Sequence, residues 1–489
     1  MQGKKNYQEK FFVNFRLSER IPEGNFYRRL KETLNLEYLR PLTSKYYGME
    51  GQKSVDPVVF FKLMLVGYLE NINSDRKIIE QSSLRMDVLY FLGYDIDEPL
   101  PWHSTLSRTR KLFGEEVFLI FFRDILRLCV EKGMVSGKTQ AVDSAFIKAN
   151  ASLDNLAETE LEKKSKKYFD DITENEEGEE CKRNQNKPAK TNRGKKTSGR
   201  TGPRRNDRYV SKTDPDARIS WKPGKAAALN HLGIISVDTE SHVICGATVD
   251  FADKKDSRTT ENIMGQTIEN MNRNGIAVET VLADAGFSSG KTYEYLEKQN
   301  ITAYIPTHGS YKPQKEGFSY DKENDCYICS KGAKLPFKSV VSQHGALLKL
   351  YYSSFCDCRG CPSRKQCCKK CKIRNLTHSF HKSYYDAASE RINTRQGKRM
   401  IRLRSATVEP VLGTLLTFRR MKKVYTIGQE LARKQFLMAA ATYNLKKLMS
   451  AMSFKSVKAA INAVKTALLD KIRIWNKFIL FNNQILTAQ

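Results

Sequence analysis

The chain of 489 residues is long enough for about three domains and for a sizeable core. Lysine and arginine outnumber aspartate and glutamate by 83 to 54, a formal net charge of +29, which favours a polyanion such as nucleic acid over a neutral small molecule. The lysines of MQGKKNYQEKFF precede no long apolar stretch, and the richest apolar run, 117 to 130, is broken by Arg123, Asp124 and Arg127, so neither a signal peptide nor a membrane span is expected. Eleven cysteines, eight of them between Cys326 and Cys371, fit a reduced compartment and a metal site better than a secreted disulfide framework.

From 55 to about 135 the sequence predicts helices. Asp56 and Pro57 supply an N-cap and a first helical position, and VVFFKLMLVGYLE supplies the apolar face. Ser74 is placed to cap a second helix through Ile78 and Leu84, and Ser104 to cap TLSRTRKLF, where Arg108, Arg110 and Lys111 lie within one or two turns. Glu115 opens a longer apolar helix. Two short helices around a tight connection, the second basic, resemble a helix-turn-helix; a helical bundle with a basic surface fits the same pattern.

At Lys138 strand alternation begins, with Ala141, Asp143, Ala145 and Ile147 on one face. The stretch 155–218, acidic in DDITENEEGEE and then basic, has almost no aliphatic content after Ile172 and is expected to be a disordered or loosely held charged insertion. HLGIISVD and HVICGATVDF predict a hairpin. Ser257 is placed to cap a helix that Gly275 ends, the strand VETVLAD stops at Asp284, and a helix and the strand TAYIPT follow. The expected fold is α/β, a mixed sheet flanked by helices. An acid in the first strand and another at the end of the fourth resemble the ribonuclease-H-like fold, in which those strands are neighbours.

Asp143 interrupts a buried-looking strand, where an unpaired carboxylate costs several kcal/mol, so a metal or cationic partner is expected there. Asp284 ends an apolar strand, and Ala285-Gly286-Phe287 leaves space beside it. Glu409 precedes Pro410, which either opens a helix or kinks one, and a charge favourable to the helix dipole fits that position as well as a functional carboxylate does. Carboxylates gathered from distant segments repel unless a cation lies between them, and two Mg²⁺ ions are the usual solution in phosphodiester chemistry.

The segments AVDSAFIKANAS, ADAGFSSG and TVEPVLGTLLTFRRMKKVYT, followed by MAAATYNLKKL, resemble those of DDE transposases encoded by bacterial insertion sequences, in the branch with an N-terminal helical domain and a cysteine-bearing insertion. The resemblance covers about 55 to 448. It implies a catalytic triad of Asp143, Asp284 and Glu409 holding two Mg²⁺ ions, with Mn²⁺ able to substitute. It also implies binding of terminal inverted repeats, DNA strand cleavage and strand transfer, a homodimer on double-stranded DNA, and a bacterial cytoplasmic, nucleoid-associated location. Related transposases often carry a lysine seven residues after the glutamate, where this chain has Leu416, and the upstream basic candidates are Arg402 and Arg404. The basic run Arg419, Arg420, Lys422 and Lys423 is a candidate DNA contact, as are Arg108, Arg110 and Lys111; exposed helix faces explain any one of them equally.

The cysteines follow zinc-like spacing, a CxxC at Cys326 and Cys329 and then SSFCDCRGCPSRKQCCKKC. With few large aliphatics nearby, a metal is expected to stand in for a core. The resemblance suggests Cys329, Cys358, Cys361 and Cys367 as ligands of a structural Zn²⁺; a second metal, or a reduced cluster without metal, stays open. The expected domains are a helical DNA-binding domain at 1–135, a core at 136–306 interrupted by the 155–218 insertion, a cysteine-rich insertion at 307–376, the rest of the core at 377–450, and a basic helix at 451–489. The rival functions are a nuclease or resolvase on the same fold, which cuts without rejoining, and a non-catalytic DNA-binding protein.

Overall fold

The structure is a computed structural model that describes residues 15–48, 50, 54–159, 206–221, 226–309, 311–343, 346–368 and 371–452. Most of the charged insertion (160–205) and nearly all of the expected C-terminal basic helix (453–489) lie outside the described residues. The chain forms two compact units, 1–134 with 438–489, and 135–437.

In the first unit the apolar run after Asp56 becomes the helix Pro57–Leu69, capped by a bond from the Val58 N–H to Asp56 Oδ1 at 2.8 Å. Apolar residues on every side bury this helix, because only Lys62 and Leu69 of its residues escape full burial. Phe61 stacks on Phe121 of the helix Glu115–Glu131, with ring centroids 4.8 Å apart. Ser74 stands at the N-cap position of the helix Asp75–Ser83, but its side chain makes no capping bond. Ser104, by contrast, lies inside the helix His103–Leu112, whose N-cap is Trp102.

Among the described residues the second unit carries thirteen strands. They are β1 (Thr139–Lys148), β2 (Leu156–Glu158), β3 (Tyr209–Ser211), β4 (Arg218–Ser220), β5 (Ala228–Asp238), β6 (Ile244–Phe251), β7 (Thr280–Leu282), β8 (Thr302–Tyr304), β9 (Phe318–Asp321), β10 (Cys326–Cys329), β11 (Lys334–Gln343), β12 (Ala346–Tyr352) and β13 (Asn375–Ser379). The main sheet runs β4-β5-β1-β7-β8, with β6 also on β5. β1 is antiparallel to β5 and parallel to β7, and β7 is parallel to β8, so the first and fourth strands of the core are neighbours, as in the ribonuclease-H-like order.

The β5–β6 hairpin is tied by the buried Asp238, whose Oδ2 accepts from the Ser241 N–H and hydroxyl at 2.9 and 2.6 Å. Gly233 in β5 is glycine by necessity, because a Cβ there would stand 2.5 Å from Ile147 Cδ1 and 3.0 Å from the Phe436 ring. The helix Thr260–Asn272 begins after Thr259, so Ser257 is not its cap but part of a preceding 3₁₀ turn, Asp256–Arg258. The helix Gly290–Lys298 follows Ser289, whose side chain accepts from the Thr292 N–H. A helix from 429 to 452 closes the described chain, and Gln429 and Arg433 donate to the Val249 carbonyl of β6.

Two expectations need correction. The insertion expected to be disordered from 155 to 218 is ordered at both ends: β2 pairs with β3, and Ile219 and Leu229 join Ala149 and Ala217 in a small apolar cluster. There the buried Asp214 meets His231 Nε2 at 3.1 Å and accepts from the Gly428 N–H at 3.2 Å, which fixes the returning segment. The cysteine-rich region, where a metal was expected to stand in for a core, has a side-chain core of its own, an antiparallel sheet β13-β12-β11-β10-β9 over Tyr327, Leu335, Tyr351 and Leu376. Two buried tyrosine rings share that core with two leucines.

In that sheet Tyr351 donates to Asp325 Oδ1 at 2.6 Å, so its oxygen accepts from His378 Nε2–H at 3.1 Å, and His378 Nδ1 accepts from the Tyr327 hydroxyl at 2.9 Å. Burial, with the nearby Lys382 charge, pulls the His378 imidazole down to about 4. Among the described residues no helix is long and apolar enough to cross a membrane. Because the unfolded imidazole takes a proton that the folded one refuses, the stability of this sheet is complete above the ordinary value of 6.5 and is lost as pH falls towards about 4. Thermal melts between those limits are expected to show that slope in the native protein and to lose it in His378→Gln; equal slopes would contradict the account.

Candidate active site

Ala141 of β1 pairs with Leu282 of β7 in parallel register, and Asp143 and Asp284 each lie two residues further along. Parallel neighbours advance together, so the two carboxylates lie level with each other, Asp143 midway along β1 and Asp284 just beyond the end of β7, where an open α/β sheet places its chemistry. β7 ends at Leu282, and Asp284 caps the single turn Ala285–Phe287, accepting from the Gly286 N–H at 2.9 Å.

Glu409 reaches the same region from the helix Arg395–Phe418. It sits deep in that helix, with Pro410 inside rather than at a start, so a favourable charge at a helix N-terminus does not explain it. Val408, Val411, Leu412 and Leu415 bury the opposite face and leave Glu409 outward. The link between helix and sheet is Arg404. Its Nη1 donates to Asp143 Oδ2 at 2.9 Å and its Nη2 to Glu409 Oε1 at 3.1 Å. The Arg404 and Asp143 side chains are 12% and 16% exposed, against 60% for Glu409, so the Asp143 arm is the strong one and solvent screens the other.

Burial holds the Asp143 carboxyl above its ordinary range, and the Asp284 charge adds to that. A 2.7 Å bond from the Ser144 N–H to Asp143 Oδ1, and the Arg404 guanidinium, work in the opposite direction. A fourth acid, which the sequence did not single out, joins them: Asp256 Oδ1 accepts from the Ser144 hydroxyl at 2.7 Å. A Cβ on Gly286 would stand 2.8 Å from Asp256 Oδ2 and 3.0 Å from Asp284 Oδ1, so both carboxylates crowd one small space.

Among the described residues no three histidine, cysteine, aspartate or glutamate side chains stand together as a metal-holding group. Asp143 and Glu409 carry carboxylate oxygens of the kind that suit a hard divalent cation, and both already meet one cation, the Arg404 guanidinium.

The candidate DNA contacts divide by burial. Arg108 and Lys111 are exposed, but Arg110 lies one turn beyond the buried Leu106, on the inward face, and its guanidinium grips Asp75 at 2.8 and 3.0 Å. Arg419 and Arg420 are buried as well, because the chain turns back there to set Val424 N–H on the Lys148 carbonyl beside β1. Lys422 is exposed and Lys423 half-buried. A further cationic face, of which the sequence had singled out only Arg402, is formed by Arg395, Lys398, Arg399 and Arg402, which at helical spacing are exposed, make no ion pair among the described residues, and line an open cleft of about 830 Å³. Their spacing of three and four was the available signal.

Cys329, Cys358, Cys361 and Cys367 line one cavity of about 210 Å³ together with Cys368. Burial pushes the Cys368 thiol up to about 11, and the neighbouring Cys358 and Cys367 add to the shift. Cys326 is buried in the second sheet, and Cys356 and Cys371 are exposed.

A family model described as a transposase domain (DUF772) matches residues 15–112, and one described as a transposase DDE domain matches residues 328–449. The second includes Glu409; Asp143 and Asp284 lie between the two matches. No curated protein matches the sequence. Among solved structures, a piggyBac transposase synaptic complex with hairpin DNA is 10% identical, with 86% of this chain and 72% of that chain covered and a TM-score of 0.31. A Mos1 transposase paired-end complex with the left transposon end is also 10% identical, covering 59% and 73%, with a TM-score of 0.16. Both superpose only loosely.

A methyl group at position 286 must displace the Asp256 or the Asp284 carboxylate. For strand cleavage, the activity the resemblance implies, Gly286→Ala is therefore expected to lower the rate about 10- to 100-fold with the melting temperature held. Unchanged cleavage would show that the carboxylates have room to spare.

Proposed function

Because the chain belongs to the DDE transposases, we propose that it binds the terminal inverted repeats of its own element, cuts DNA there, and joins the 3′ ends to target DNA, with Asp143, Asp284 and Glu409 as its catalytic triad. The supporting observation is that the parallel register of β1 and β7 sets Asp143 and Asp284 level on neighbouring strands, and that Arg404 tethers Glu409 to Asp143. When bound by the three acids, two Mg²⁺ ions would activate the attacking hydroxyl and stabilise the leaving oxygen.

The chain's own residues prepare that site. The Ser144 N–H fixes one oxygen of Asp143 and leaves the other towards the helix, while the Gly286 N–H orients Asp284. Glu409, the most exposed of the three, is free to adjust from its helix. Phosphates of double-stranded DNA are assigned to Arg395, Lys398, Arg399, Arg402, Lys422 and Lys423 in the second unit and to Arg108 and Lys111 in the first. Structural zinc is assigned to the cavity lined by Cys329, Cys358, Cys361 and Cys367, and pairing of two DNA ends calls for a homodimer on DNA. A location in the bacterial cytoplasm at the nucleoid goes with this activity.

In a strand-transfer assay with pre-cleaved end oligonucleotides and supercoiled plasmid, Asp143→Asn, Asp284→Asn and Glu409→Gln are each expected to cut and join at least about a thousandfold more slowly. Binding to end DNA should change little. Cutting without joined products would identify a nuclease or resolvase instead, and undiminished function in the variants a non-catalytic DNA-binding protein. Exchanging Arg395, Lys398, Arg399 and Arg402 together for glutamine should reduce the slope of log K against log salt by about 3 to 4; an unchanged slope would remove that face from the interface.

A further inference from the structure

The face of the second sheet that packs the aromatic core does not end where the core ends. β10 pairs with β11 only as far as Pro336, so β11 and β12 run on past it. Antiparallel partners point to one face, and along β12 that face carries Leu347, Lys349 and Tyr351. Phe337 lies opposite Tyr351, and Val340 opposite Lys349. From β13, Leu376 and His378 share the face, and Phe380, two residues further on, donates its N–H to the Leu347 carbonyl at 3.0 Å. Tyr351 is fully buried at the inner end, whereas Phe337, Val340, Leu347 and Phe380 are between 39% and 55% exposed.

Four large apolar side chains on one face are more than a scatter of single exposed residues, and they mark a contact surface. Its chemistry selects the partner. Lys349 Nζ stands 5.5 Å from the Phe337 ring centroid and 5.8 Å from that of Phe380, so two rings flank one ammonium, which donates to Asp325 Oδ2 at 2.8 Å. Phe337 leans edge-on against Tyr351, with centroids 6.0 Å apart and planes at 66°, which fixes its ring before any partner arrives. β11 and β12 hold three lysines, Lys334, Lys338 and Lys349, and no acid, so a second copy of this face would meet like charge. A polyanion that carries apolar rings answers both features. In duplex DNA the base faces are stacked on one another, and only an unpaired strand offers them.

We propose that this face binds unpaired nucleotides of a DNA strand, with bases stacked on Phe337 and Phe380, Val340 and Leu347 flanking them, and phosphates drawn to Lys338 and Lys349. Lys338 sits where the β11–β12 register shifts; it is exposed and makes no ion pair among the described residues. Rings beside cations suit a single strand, because every base has a π-face and every linkage a negative charge. This surface needs neither the three acids nor a metal, but rests on the reading of DNA as the partner.

Fluorescence anisotropy of the full chain, without added Mg²⁺ or Mn²⁺ so that no strand is cut, reads binding to a dye-labelled DNA single strand, to an abasic strand of the same length, and to a duplex. The native protein is expected to hold the single strand about a hundredfold more tightly than the abasic one, and Phe337→Leu and Phe380→Leu each to lose about tenfold on the single strand with duplex binding unchanged. Leucine keeps the apolar surface and removes the ring, so undiminished single-strand binding in those variants overturns the proposal, as does equal native affinity for the abasic strand. Phe337→Trp and Phe380→Trp should bind at least as tightly as the native protein; a loss shared by the tryptophan and leucine variants points to fold damage and counts against stacking. Leucine variants that break up a native dimer while keeping their single-strand affinity would give the face to a second copy instead. A native protein that binds the duplex but not the single strand loses this surface alone, whereas one that binds neither loses the DNA reading as well.

Discussion

The parallel pairing of β1 with β7 is the constraint on which the rest of the site depends. Three backbone pairs, from Thr139 with Thr280 to Ala141 with Leu282, decide that two acids far apart in sequence lie level with each other. β1 can take that role because it is central, with the long antiparallel β5 on its other edge. Within that strand the Asp143 side chain is only 16% exposed, so it is poorly solvated and its carboxyl is held above the ordinary range. The need for a cation there comes from the backbone arrangement before any metal is considered.

The second sheet of the same unit solves a different problem. Its interior sets tyrosines beside leucines, and the tyrosine hydroxyls must be satisfied once buried. Asp325 does this for Tyr320 and Tyr351, and His378 joins Tyr351 to Tyr327. A network of this kind specifies one arrangement of rings more sharply than aliphatic packing would. The thiol-lined cavity beside Leu335 and Arg374 therefore adjoins a region that already has a core.

Much of this was legible in the sequence, for reasons that can be located. Asp143 and Asp284 showed themselves because strand alternation makes a buried acid conspicuous and a small-residue turn follows the second. Asp56-Pro57 announced its helix because both residues act locally. Glu409 did not show itself in the same way: Pro410 suggests a boundary, and packing on four apolar neighbours overrides that local signal, so family resemblance carried the assignment. Arg110, Arg419 and Arg420 were misjudged because charge predicts exposure only when no acid or chain reversal waits inside. Asp256 left no trace, since its hydrogen bond to Ser144 spans more than a hundred residues. The tyrosine sheet was missed because its strands alternate weakly and cysteines draw the eye.

The register of β1 has a consequence for how such a chain can vary. A shift of one residue along β1 would leave a strand of the same length and nearly the same composition, but would set Ser144 where Asp143 stands and turn the acid to the other face. The stretch between β1 and β7, by contrast, can gain or lose residues in its connections without moving either carboxylate, because loop closure grows costly only slowly with length. The tolerance of this chain to insertion is thus set by hydrogen-bond register within ten residues rather than by the contour that separates its acids.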